Sequence, residues 1–144
     1  MDYEDITPYL EKLSEKDKDK LIKNLLKRNK EYIDKLYYKH IATPIELDER
    51  FEEYQKAVEN CFYLYYRGKS DELVMAKAIN TAKKQISEFT KIDKRPEKEA
   101  ELLIIILKIV FDEYPAELGT CWTKYDHVVS QTLKKLITIL RKRL

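Results

Sequence analysis

The chain has 144 residues, 28 of them basic and 26 acidic, with only two glycines, four prolines and two cysteines. That length suits a single domain, and a net charge of +2 gives little whole-molecule field for a polyanion to respond to. Two cysteines are too few for a disulfide framework, and the start MDYEDITPYL has neither the basic nor the apolar region of a secretory signal. A reduced, cytoplasmic location is therefore expected.

In chain order, Thr7 and Pro8 place a capping residue before a proline suited to the first helical position, and open a short turn, PYLEKL. Ser14 then begins S-E-K-D, with Asp17 where a carboxylate meets the positive end of a helix. Apolar residues recur at Ile22, Leu25, Leu26, Ile33, Leu36 and Tyr37, so one long helix is predicted from Ser14 to about His40, stopping before Pro44. Asn29 interrupts this row, and a polar residue at such a seam can fix the register between helices.

A second helix carries Leu47, Phe51, Tyr54, Val58, Cys61 and Tyr65, with Gly68 as its terminator. Ser70 caps a third, whose row is Met75, Ile79, Ala82, Ile86 and Phe89. Asp93 and Pro96 open a fourth that ends at Tyr114-Pro115. Its run LLIIILKIVF at 102–111 is about half the roughly 20 residues needed to span a bilayer, so it is expected to be a central, buried helix rather than a membrane segment. Leu103, Leu107, Val110, Phe111 and Tyr114 fall on one side, with Glu97, Glu101, Lys108 and Asp112 in a polar wedge. A fifth helix runs from about Thr120 nearly to Leu144, with the row Trp122, Tyr125, Val129, Leu133, Leu136 and Leu140. The pattern predicts an all-α protein, residues 1–144 forming one domain of about five helices with short links, as an antiparallel bundle or irregular array.

The stretch ELGTCWTKYDHVV gathers rare residue types, but Cys121 and His127 are six positions apart. On a helix that leaves about 120° between them, so they do not form a local dyad. Cys121 is expected beside the packed Trp122, and His127 among solvated residues. The chain has no C-x-x-C, H-E-x-x-H or Glu-x-x-His, the usual zinc and di-iron spacings. With Gly68 and Gly119 as the only glycines, neither G-x-G-x-x-G nor G-x-x-x-x-G-K can form. No catalytic residue, metal or cofactor is expected.

Surfaces remain. LYYKH at 36–40 and FYLYYRGK at 62–69 set tyrosines beside bases, and helical projection turns Tyr38 and Tyr63 away from the core rows. Tyr38, Tyr63 and Tyr66 with Arg67 and Lys69 could anchor a partner protein or stack bases. The end KKLITILRKRL carries Lys134, Lys135, Arg141, Lys142 and Arg143 with no acid, which suits a helix C-terminus and could also contact nucleic acid.

Three segments together, ITPYLEKLSEKDKDKLIKNLLKR, EYQKAVENCFYLYYRGKSDELVMAKAINTAKKQISEFTKI and LLIIILKIVFDEYPAELGTCWTKYDHVVSQTLKKLI, resemble a family of uncharacterised, all-helical bacterial proteins grouped as a domain of unknown function. The resemblance implies an all-helical fold and assigns no activity or ligand to any residue. The expected function is that of a cytoplasmic, non-enzymatic module that binds an unknown protein or a second copy of itself. The alternative is a nucleic-acid-binding accessory protein that uses the basic C-terminal helix and the tyrosine-base clusters.

Overall fold

The computed structural model describes residues 1–65, 72–115, 118 and 124–142. Among them there are seven helices and no strand: α1 (Tyr3–Glu11), α2 (Glu15–Arg28), α3 (Lys30–His40), α4 (Pro44–Tyr65), α5 (Glu72–Ile92), α6 (Pro96–Glu113) and α7 (Lys124–Arg141). The all-helical expectation holds, and the expected count of about five does not. The two extra helices both arise before residue 42. The chain divides into two compact units, Met1–Ile41 and Ala42–Leu144, and each is described by itself.

In the first unit, the short turn expected to open at Thr7-Pro8 is a nine-residue helix that begins earlier and has Pro8 inside it. The Asp2 amide donates to Oδ2 of Asp5 at 2.9 Å, satisfying a backbone donor at the helix entrance that sequence reading had left to Thr7. The Thr7 hydroxyl instead donates back to the Tyr3 carbonyl at 3.2 Å. Ser14 does cap α2 as expected, its Oγ accepting from the Asp17 amide at 3.2 Å.

The predicted single helix from Ser14 to His40 breaks at Asn29, whose φ of −139° and ψ of 82° lie outside the helical basin. Its amide still donates to the Leu26 carbonyl, and its own carbonyl accepts from the Tyr32 amide at 3.1 Å. One residue thus closes α2 and opens α3. Asparagine is a poor helix former because its side chain competes for backbone partners, and no tertiary packing overrides that preference here, since none of the three helices has a buried residue.

The second unit holds the core. Thr43 and Glu46 form a reciprocal cap at the start of α4, the Thr43 amide donating to Glu46 Oε2 at 2.8 Å and the Glu46 amide to Thr43 Oγ1 at 3.3 Å. Pro44 takes the first helical position, where its missing N–H costs nothing. α5 packs against α4, α6 and α7, and the whole predicted row Met75, Ile79, Ala82, Ile86 and Phe89 is buried. α6 buries Leu102, Leu103, Ile106, Leu107 and Val110, as a central helix should. Phe111, expected on its core face, is half exposed.

The largest correction to patterning is on α7. Tyr125, Val129 and Leu136 are buried as predicted, but Val128 and Thr132 complete that face while Leu133 and Leu140 stand outside it. The core ridge is rotated toward a threonine because its hydroxyl donates to the Val128 carbonyl at 2.9 Å, which removes most of the cost of burying it. The Tyr125 hydroxyl reaches the Tyr114 carbonyl at 3.4 Å, tying α7 to the end of α6. Gly68, Ser70, Gly119, Thr120, Cys121 and Trp122 lie outside the described residues.

Candidate interaction surfaces

The sequence-derived candidates fall in separate places. Tyr38 on α3 is half-buried and meets the neighbouring Tyr37 edge to face, with ring centroids 5.3 Å apart and planes at 86°. Tyr63 on α4 is 67% exposed. It borders an open groove of about 400 Å³ between α4 and α6, with Gln55 and Glu59 on one wall and Ile105, Lys108 and Glu113 on the other. Tyr66, Arg67, Lys69 and Arg143 lie outside the described residues.

On α7, Lys134, Lys135 and Arg141 are all exposed, as is Lys142 just past its end. Lys135 is engaged within the fold, its Nζ 3.1 Å from Glu99 Oε1 on α6. Desolvation, with the charge of Lys135 added to it, pushes the ammonium of Lys83 below the usual lysine range. Lys135 is thus partly neutralised by its ion pair, and Lys134, Arg141 and Lys142 carry the outward charge of this helix and its end.

Beside these cations runs an exposed row that includes Leu133 and Leu140, two residues the apolar pattern places in the core. Leu133, Ile137 and Leu140 are 40%, 40% and 43% exposed, and their i, i+4, i+7 spacing puts them on one ridge. Lys134 and Arg141 project further round the same helix, about 80–100° from the ridge. The sequence signal that could have found this row is an apolar arc on α7 too wide for one contact.

A second feature missed in the sequence is a buried charged clasp at one end of the second unit. The Asp93 carboxylate, 4% exposed, lies in the link between α5 and α6. It accepts from the Arg95 amide at 3.0 Å, from Arg95 Nε at 3.0 and 3.1 Å, and from the outer guanidinium nitrogen at 2.8 Å. Arg95 extends its other nitrogen to Asp48 on α4 at 2.9 Å. Arg50 of α4 stacks over the Tyr54 ring at 4.7 Å and the Phe89 ring at 5.6 Å, and Lys98 Nζ lies 4.5 Å from the Phe51 ring centre.

Burial pushes the Asp93 carboxyl upward, but hydrogen bonds and charge from Arg95, with the charge of Arg50, outweigh it and hold the group below the ordinary carboxylate range. Arg95 is held protonated in turn, first by its hydrogen bonds to Asp93. A carboxylate so saturated has neither the raised pKa of a general acid nor a free lone pair directed at a ligand, so the clasp ties helix ends together. The string D-K-R-P just before α6 was its visible half, and its partners Asp48 and Arg50 are over forty positions away.

Among the described residues no three of His, Cys, Asp and Glu gather as a metal site would require. No helix there is long and apolar enough to cross a membrane. His127 is exposed on α7, as expected, and His40 is exposed at the end of α3. Comparison of the chain with protein-family models, with characterised proteins and with solved structures finds no match.

The first unit presents a further apolar surface. Leu21, Ile22 and Leu25 of α2 and Tyr32, Ile33 and Leu36 of α3 are all exposed. Ile22, Leu25, Leu26, Asn29 and Tyr32 line an open groove of about 310 Å³ at the Asn29 elbow. On the far side of α2, Lys16, Lys20, Lys23 and Lys27 are exposed and fall within about 60° of one another.

Proposed function

We propose that this chain is a cytoplasmic, non-catalytic helical protein that works by binding, either to another protein or to a second copy of itself. The observation that carries this reading is the Leu133, Ile137, Leu140 row on α7. A single exposed leucine is ordinary, but three large aliphatics on one ridge are the form in which a helix presents itself to an apolar groove. The exposed Lys134 and Arg141 favour a groove with an acidic border. The cytoplasmic part of the reading rests on cysteine usage, Cys61 being a buried free thiol.

The test is capture from the native host by wild-type protein and by the double variant L133D/I137D, followed by reconstitution from purified components. The expected result is a partner held by wild type and lost by the double variant, with far-UV CD and melting unchanged. The same proteins recovered with both baits would refute this surface. A specific turnover abolished by mutating Tyr38 or Tyr63 would refute the non-catalytic reading.

A second reading, nucleic-acid binding, is supported by the lysine row on α2 in the first unit and, separately, by Lys134, Arg141 and Lys142 in the second. Four lysines on phosphates would give a log-log salt slope of roughly −3 to −4. No shift at low salt ends that reading.

A further inference from the structure

We infer that Asn29 is a two-state hinge, whose second state is a straight form in which α2, Asn29 and α3 run as one helix from Glu15 to His40. The bent form departs from that helix at a single residue. Asn29 has φ −139° and ψ 82°, whereas a helical residue has about −63° and −42°. The residues on both sides of it are already helical, so rotation of this one pair of dihedrals straightens the elbow. The two forms are close in free energy because opposing effects offset one another. Straightening gives the amides at the start of α3 the carbonyls at the end of α2 as partners, groups that a helix break leaves without intrahelical bonds. Against it stand the poor helix propensity of asparagine and the loss of the elbow groove that Leu25, Leu26 and Tyr32 line. No buried side chain of α2 or α3 locks the bend, and Asn29 makes no side-chain hydrogen bond as the cap of α3.

The side chains are in phase for the straight form. With Ile22 at zero, a continuous helix places Leu25 at about −60°, Leu26 at +40°, Ile33 at +20° and Leu36 at −40°. Five large aliphatics from both helices then share one arc of about 100°, with Asn29 near its centre at about −20°. Lys16, Lys20, Lys23 and Lys27 fall on the other side, at about 100–160°. Two helices joined by a fixed elbow have no need of a pattern that keeps phase across the break, whereas a single amphipathic helix requires it. The bend divides this row and straightening joins it, so the hinge sets how long an apolar row the first unit presents. Any contact that uses the joined row draws the hinge straight.

A distance measurement across the elbow of the full-length chain tests this. Lys16 and Lys39 are both exposed, and spin labels can be attached there through ketone-bearing amino acids that leave the cysteines untouched. In the straight form their Cα atoms are about 35 Å apart, and a bend at residue 29 shortens that span. Double electron–electron resonance on the otherwise wild-type chain is expected to show two distances, the longer one near 35 Å. Asn29→Ala should raise the ratio of long to short about threefold, and Asn29→Gly should move it the other way. Residue 29 is exposed, so thermal melting of the core in the second unit should not change. A single distance without these substitutions, or a ratio that neither substitution moves, overturns the inference. The α7 row belongs to the other unit, and its own test is loss of partner in L133D/I137D.

Discussion

Replacing Asp93 by asparagine keeps the shape of the side chain while removing its charge and one acceptor oxygen. The wild-type carboxylate receives every hydrogen bond that the Arg95 amide, Nε and one outer nitrogen make with it, at 2.8 to 3.1 Å, from a position 4% exposed. Breaking a buried pair costs about 3–5 kcal/mol when one charge is left stranded. Here Arg95 is about a third exposed (31% of its side chain) and keeps Asp48, so solvent and the second partner reduce the cost to about 2–3 kcal/mol. For a unit of this size that is a fall in Tm of about 10 °C. The pH dependence follows from the direction of the shift. A carboxyl whose folded value lies below its unfolded value of about 3.9 contributes its full stability above that pH, and loses it as pH falls through the folded value. Urea unfolding of wild type and D93N should therefore differ by about 2–3 kcal/mol at pH 7. Below about pH 3.9 the difference should shrink by about 1.4 kcal/mol per pH unit, down to the folded value. A difference below about 0.5 kcal/mol at pH 7, or one constant from pH 7 to pH 2, would refute this account of the clasp.

Two further substitutions probe the fold. Phe89→Ala removes a fully buried ring that meets Phe51 at 5.8 Å, Tyr54 at 5.5 Å and the Arg50 guanidinium; it should cost about 3–5 kcal/mol in urea melts, and a loss under 1 kcal/mol would mean that this end of the core is not tightly packed. Asn29→Ala exchanges the residue that closes α2 for the best helix former, worth about 0.6 kcal/mol; α2 and α3 should fuse and the 222 nm ellipticity should deepen, whereas an unchanged spectrum would mean that the elbow is set by something other than Asn29.

What could be read from the sequence depended on whether one apolar row dominated its helix. α5 has a single row, and all five of its predicted members are buried. α7 has an apolar arc wider than one contact, and periodicity alone does not say which edge faces inward; Thr132 inside and Leu133 outside depend on a hydroxyl bond to Val128 that patterning ignores. The break at Asn29 was visible as an interruption but was read as a register mark within a continuous helix, because propensity is usually overridden by packing, and α2 and α3 have no buried residue to override it. The charged clasp was the least legible, since Asp48 and Arg95 are brought together only by the folding of α4 against α6. Of the interaction candidates, Tyr63 projects outward as its helical position predicts, while Leu133 and Leu140 of the exposed ridge beside Lys134 are two that the pattern places in the interior.

Cys61 gives the second unit a built-in clock. Its Sγ donates to the Ala57 carbonyl at 3.2 Å, and burial raises the thiol above its ordinary pKa, outweighing the backbone hydrogen bond that lowers it, so the reactive thiolate is scarce in the closed state. A thiol reagent can reach it only when α4 lifts from its neighbours, and at high reagent concentration the labelling rate becomes the rate of that opening. The side chain that stands in the sequence as an unremarkable member of an apolar row thus reports, without any engineered substitution, how often the core exposes itself to solvent.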